Sequence, residues 1–305
     1  MNTNEAPIAG VARAAMLTSL SINTYSGRKK DTRTQAEVTA AKGAHSKRAA
    51  SVYKSLFADC VELEDITKFQ ARVRAIHYNL TLPWSDSGPR LLPTKALQEY
   101  QDQMTKLEAE FWVLVRRFLD RFDLLVAAAA FQLGALFNRA EYPTRESVEQ
   151  QFGFSVAFSP LPLSGDFRLD IESEVQADLI KHYNKQTQLQ LEQVNSEAWT
   201  RLHKVLSHMS DRLTVTMDEE GKPVRKKIYD SMVENAQELC GLLTALNVTG
   251  DPKLEQARAE LEGALSGVIA KDFRDSDGAR TMVKSKVDKI MSDYNEWLGT
   301  EKFDD

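Results

Sequence analysis

Two long stretches of this chain are patterned as amphipathic helices, and they constrain its fold more than any other feature. From Lys95 to about Arg139, Leu97, Tyr100, Met104, Leu107, Phe111, Leu114 and Phe118 recur alternately three and four residues apart. That spacing keeps them on one face of a helix. At Arg121 the stripe shifts, then continues through Phe122, Leu125, Ala129 and Leu133 to Leu136 or Phe137. Glu99, Asp102, Lys106, Glu108, Glu110, Arg116, Arg117 and Asp120 occupy the other faces. At about 1.5 Å per residue, roughly 45 residues make a rod of about 65 Å, and its stripe must meet another helix. The second stretch runs from Glu172 to about Arg212. Its stripe is Val175, Leu179, Tyr183, Leu191, Val194, Ala198, Leu202, Val205 and Met209, and it is weakest through the polar turns Asn184 to Gln190.

Between the two, Tyr142-Pro143 ends the first helix, and Thr144 with Ser147 starts a short one to Gln151. Phe154, Val156 and Phe158 alternate as in a strand, and so do Phe167, Leu169 and Ile171, with Ser159-Pro160-Leu161-Pro162 separating the two runs. The expected fold is therefore mainly α: an elongated antiparallel long-helix hairpin with a small β insert, plus flanking N- and C-terminal helices. The divisions are an N-terminal segment 1–27, partly flexible; a basic helical region 28–93; and the long hairpin 94–226. The hairpin has its β tip at about 152–171 and a small β-hairpin at 213–225, around Asp218-Glu219-Glu220-Gly221. A three-helix region 227–298 and a disordered tail 299–305 complete the chain. Its helices are Lys227 to Leu246, Pro252 to Lys271 and Asp277 to Leu298.

Residues 28–54 are strongly basic. Arg28, Lys29, Lys30, Arg33, Lys42, Lys47, Arg48 and Lys54 face only Asp31 and Glu37, so eight less two leaves +6, within a chain of 305 residues whose net charge is −5. Helices are expected from Gln35 to Lys42, from Ser46 to Ala58 and from Glu62 to Tyr78. The Pro-rich stretch from Leu82 to Pro93 reads as a loop anchored by Trp84, with Thr94 as the N-cap of the long helix. Arg28, Lys29, Lys30, Arg33, Lys42, Lys47 and Arg48 are candidate contacts for nucleic acid or an acidic partner, with Tyr25 and Tyr53 near enough to stack. The plainer reading is a solvated face, or a basic edge paired with the protein's own acidic surface, and it is favoured.

No motif for catalysis, a cofactor or a metal stands out. Cys60 and Cys240 read as small buried side chains. The five histidines read as surface or cap residues, and His203 and His208, five apart, lie badly for joint ligation. The pairs Asp166 and Asp170, and Asp275 and Asp277, read as caps rather than cation ligands. Gly27-Arg28-Lys29-Lys30 lacks the upstream glycine and the strand-to-helix setting of a phosphate loop. The most apolar run, Leu124 to Leu136, is shorter than the ~20 residues a membrane span needs. Glu5 and Arg13 argue against a signal peptide, which places the protein in the cytoplasm.

Leu20-Ser21-Ile22-Asn23-Thr24-Tyr25-Ser26-Gly27-Arg28-Lys29-Lys30 resembles the opening signature of a bacteriophage and prophage family of uncharacterised function. The likeness extends through Ala71 to Pro83, Leu107 to Asp123 with its Glu110-Phe111 and Phe118-Leu119, and Tyr142-Pro143 to Phe154. One departure is Tyr25, where that family often has Trp. The resemblance implies a phage origin, action in the host cell cytoplasm, and association with MoxR-type AAA+ ATPases or von Willebrand A-type proteins. It carries over no catalytic residue. Together these readings favour a non-enzymatic helical scaffold or adaptor in a protein complex, able to self-associate through its long helices. The alternative is a nucleic-acid-binding accessory protein that uses segment 28–54.

Overall fold

A computed structural model describes residues 5–46, 48–85, 87–162 and 173–298. In chain order the elements are α1 (Glu5–Ala14), β1 (Ala15–Asn23), β2 (Arg28–Lys30), α2 (Thr32–Ala41), β3 (Tyr53–Ser55), α3 (Val61–Leu80) and β4 (Arg90–Pro93). There follow α4 (Leu97–Asp120), α5 (Phe122–Leu133), α6 (Arg145–Glu149), β5 (Gly153–Ser159) and α7 (Ser173–Leu213). The chain ends with β6 (Val215–Met217), β7 (Pro223–Arg225), α8 (Asp230–Leu246), α9 (Pro252–Leu265), α10 (Ala270–Asp275) and α11 (Asp277–Leu298). The protein is mainly helical, as expected. Among the described residues no helix is long and apolar enough to cross a membrane. The chain forms two compact units, one of residues 1–19, 79–98 and 158–305, the other of 20–78 and 99–157.

In the first unit, β1 pairs antiparallel with β4, from Ala15 opposite Pro93 to Thr18 opposite Arg90. Leu82 and Leu91 exchange backbone hydrogen bonds of 2.8 and 2.9 Å. Leu17, Leu82, Trp84, Leu91, Val194 and Leu246 share one core, so Trp84 does anchor its loop. The larger core lies where the second half of α7 meets α8, α9, α10 and α11. Ala198, Leu202, Leu206, Met209 and Leu213 recur along one side of α7 against Leu243, Leu261, Phe273, Val283, Val287 and Ile290. Two polar devices hold this bundle's ends. Arg280 is buried, and its guanidinium donates to the carbonyls of Phe273 and Arg212, in the last turns of α10 and α7 where helix carbonyls lack partners, and to that of Lys226 between β7 and α8. Asp251 caps α9, accepting from the backbone N–H of Lys253 at 2.9 Å and Leu254 at 3.3 Å, from Trp199 Nε1 at 3.0 Å and from Asn195 at 3.2 Å.

In the second unit the partner of α4 is α3, which runs antiparallel to it. From one end to the other, Glu62 meets Arg121, Asp65 meets Arg117, Phe69 packs on Phe111 at 6.4 Å, Arg72 meets Glu110 at 2.5 Å, and His77 bonds Tyr100 at 2.7 Å. Tyr100, Met104, Leu107, Phe111 and Phe118 of the expected stripe are buried, Leu97 and Leu114 are only half-buried, and Val115 and Leu119 join the buried face. Leu20 to Asn23 of β1 lies beside β5, and Phe152 and Phe154 pack on Phe111.

Several expectations give way here. The two long stripes do not build one hairpin: α4 takes α3 as its partner, whereas α7 belongs to the other unit and packs on α11 and α8. The first rod is broken at Arg121, where the stripe shifts, into α4 and α5. Val175 and Leu179, assigned to the stripe of α7, are exposed. The neighbour of β5 is β1, in a segment expected to be partly flexible, and the second strand expected in the β tip lies outside the described residues. Among the described residues, Ser46 and 48–58 form turns, loop and β3 rather than a helix. Thr94 does not cap α4; its hydroxyl donates to the Ala14 carbonyl at 2.9 Å. His77 is buried rather than at the surface. Thr144 does cap α6, through Ser147 N–H at 3.2 Å, and β6 pairs with β7 as a hairpin.

The Asp251 cap has a pH signature. Burial alone would raise its carboxyl, but hydrogen bonds from Trp199, Asn195 and the two backbone N–H groups outweigh it and hold the group below its ordinary value. A depressed native value adds stability that is complete above the unfolded value of about 3.9 and is lost as pH falls through the native one. Asp251→Asn keeps the cap shape but loses the charge, and is expected to cost about 1 kcal/mol at neutral pH. In denaturant melts from about pH 7 to about pH 2.5, the gap to wild type should close as the acid range is entered; a gap independent of pH would contradict the charge argument.

Candidate functional site

The sequence-selected cations lie mainly on an arm that starts at β2 and ends at β3. The two strands pair antiparallel, with Arg28 opposite Ser55, Lys29 opposite Lys54 and Lys30 opposite Tyr53. Directly opposed side chains share a face, and faces alternate along a strand. Arg28, Lys30, Tyr53 and Ser55 therefore occupy one face of the ribbon, and Lys29 and Lys54 the other. Arg28, Lys29 and Lys30 are all exposed, and Tyr53 is 62% exposed. The side chain of Lys54 is instead tied down, donating to the Leu136 carbonyl at 2.8 Å and pairing with Glu141 at 2.6 Å.

Between the strands, α2 is capped by Asp31, whose carboxylate accepts from Thr34 N–H at 3.0 Å and Thr34 Oγ1 at 2.9 Å. No residue of α2 is buried. Arg33 pairs with Glu37 on its exposed surface, while Lys42 and Arg48 are exposed beyond its end. Lys47 lies outside the described residues.

The root of the arm is apolar and well fixed. Gly27 has φ +61°, and a Cβ there would come within 3.2 Å of Leu63 Cδ1, so the turn into β2 calls for glycine. Leu56 N–H donates to the Gly27 carbonyl at 2.7 Å, and Tyr142 Oη donates to the Leu56 carbonyl at 2.6 Å. Phe57 stands edge-on to Tyr142 and to Phe118. Tyr25, a candidate for stacking on a ligand, stacks inward on Phe57 and Phe118 instead. Burial pushes its phenol up to about 12, and its hydroxyl is buried without a hydrogen-bond partner.

A second feature is the surface of α5. Only Phe122, Val126 and Ala129 of this apolar helix are buried, whereas Leu124 is 63% exposed and Phe131 92%. Leu136, just beyond its end, is exposed too. Leu124, Ala128 and Phe131 fall four and three residues apart, on one side of the helix.

Bordering this face, Ala128 with Leu125, Gln132 and Arg121 lines a cleft of about 150 Å³ shared with Phe57, Asp59, Cys60 and Glu62. Reactive residue types meet here, but each is neutralised. Burial raises the Cys60 thiol, keeping it protonated, and the Glu62 carboxylate is paired with Arg121. Asp59 adopts φ +54°, a left-handed conformation that Asp tolerates. Both cysteines are buried free thiols. Among the described residues no group of three or more His, Cys, Asp or Glu side chains is placed to hold a metal ion. Asp277 forms a two-pronged pair with Arg225, at 2.7 and 2.6 Å, while Asp166 and Asp170 lie outside the described residues. His203 stacks on Tyr294 at 5.3 Å.

No family model, curated protein or solved structure matches the chain.

Tyr25→Phe removes a buried hydroxyl that makes no hydrogen bond, so thermal melting should find stability unchanged or slightly raised. A loss of about 1 kcal/mol or more would reveal a partner for that hydroxyl.

Proposed function

We propose that the protein is a non-enzymatic bacteriophage protein that acts as a helical adaptor, docking a protein partner on the outer face of α5. The observation that carries this reading is the exposure of Leu124 and Phe131 on a helix whose sequence is almost wholly apolar. Leaving such side chains in water forfeits roughly 1.5–3 kcal/mol each, a cost that covering the face would recover. Isolated apolar side chains are ordinary on protein surfaces, but a row at helical spacing is a feature of helix-in-groove recognition. The phage origin and the identity of the partner rest on the resemblance of Leu20–Lys30 and the later segments, which points to an AAA+ ATPase of the MoxR type, with a von Willebrand A-type protein as its companion. Action in the host cytoplasm belongs to the same reading.

The test is to mix the purified full chain with a MoxR-type ATPase and follow the complex by size-exclusion chromatography with light scattering. Leu124→Glu combined with Phe131→Glu should weaken the complex at least tenfold while leaving the melting temperature nearly unchanged, because both side chains are already exposed. Equal binding by the double variant would sink the proposal. So would a chain that assembles only with itself through this face, since the partner would then be a second copy.

A further inference from the structure

We infer that the arm formed by β2, α2 and β3 binds single-stranded nucleic acid along the ribbon face that carries Arg28, Lys30 and Tyr53. This does not depend on the α5 face, because the arm has its own chemistry. Elsewhere in the protein many exposed cations have acidic partners: Arg72 with Glu110, Arg117 with Asp65, Arg145 with Asp120, Arg225 with Asp277, Lys226 with Asp211 and Arg274 with Asp230. On the arm, among the described residues, no ion pair forms at Arg28, Lys29, Lys30, Lys42 or Arg48. A net charge of −5 gives the chain acidic groups in excess, yet these five cations stay unpaired. The packing points the same way, because α2 buries no residue and so adds nothing to a core that would explain its presence.

The anion is identified by spacing and by the ring. Arg28 and Lys30 are two residues apart on a strand, a separation of about 6.8 Å that lets each meet a different phosphate of one backbone. Tyr53 lies directly across from Lys30 with its ring in solvent. Cations that track phosphates beside an aromatic platform form the sequence-tolerant mode of single-strand binding. A duplex hides the base faces such a ring needs, and an acidic peptide has no use for it. Lys29, on the opposite face, with Lys42 and Arg48 outside the ribbon, widens the positive field around the strand.

Fluorescence anisotropy with labelled oligo-dT and oligo-rU of about 20 nucleotides tests this, with a duplex of equal length and a polyglutamate peptide as controls. Single strands should bind at about 50 mM salt, with log affinity falling on log salt at a slope near −3 for about four to five neutralised phosphates. Arg28→Ala with Lys30→Ala should lower affinity and flatten that slope by about 1.4. Tyr53→Ala should weaken binding about tenfold and leave the slope alone. Melting temperatures should not move, since all three side chains are exposed. Absence of single-strand binding at low salt overturns the inference. So does polyglutamate or duplex binding as tight as the single strand with no effect of Tyr53→Ala.

Discussion

The second unit depends on the aromatic contacts made by Phe118. Its ring lies 5.7 Å from Phe57, 6.0 Å from both Phe122 and Phe152, and 6.4 Å from Tyr25. Each neighbour belongs to a different stretch of chain: the start of the arm, its end, the helix beyond the break, and the approach to β5. Edge-to-face packing of buried rings adds about 0.5–1.5 kcal/mol per pair beyond the area they bury. One residue of α4 thus holds both ends of the arm, the origin of α5 and the entry to β5. The arm and the α5 surface can stay poor in core contacts because the rings at their base hold them.

That base also explains how solvated functional surfaces coexist with a stable unit. Gly27 and Leu56 close the neck of the arm, and Lys54 is tied to Leu136 and Glu141. Beyond the neck, α2 buries no residue and carries its Asp31 cap and the exposed Arg33–Glu37 pair. A ten-residue helix without tertiary burial is marginal in water. Its stability is local and its side chains are unconstrained by packing. The same is true of the outer side of α5, whose inner side carries the packing through Phe122, Val126 and Ala129.

Arg121 shows how an irregularity in a pattern carries structural meaning. The stripe read from the sequence shifts there, and the backbone breaks there, at φ −99° and ψ 0°, although the buried positions Phe118, Phe122, Val126 and Ala129 continue at helical spacing across the break. The pairing of Arg121 with Glu62 at the start of α3 ties that joint to the neighbouring helix. The caps were readable to different degrees. Thr144 was recognisable because the residues that follow it are helical and Ser147 is within reach. Thr94 was not, because its hydroxyl is taken by the carbonyl of Ala14, eighty residues away. His77, expected as a surface or cap residue near a helix end, was misplaced for the same reason: Tyr100 on another helix supplies a buried partner.

The sequence by itself determined what is local and periodic. It showed the helical class, the faces of α4 and of the later half of α7, the helical character of the C-terminal region, the β6–β7 hairpin and the basic character of residues 28–54. The helix expected from Pro252 to Lys271 is instead two, α9 and α10, parted between Ser266 and Ile269. Only the tertiary structure decided which stripe meets which. Amphipathic spacing says that a face must be covered but not by what, and Phe69, Asp65 and Arg72 on the shorter α3 complement α4, whereas α7 finds its cover on α11 and α8. Tertiary structure likewise turned Ala15–Asn23 into a strand by placing β4 and β5 beside it, and turned Tyr25 inward while leaving Tyr53 in solvent. Strand pairing and ring burial are contacts between distant residues, and no local pattern encodes them.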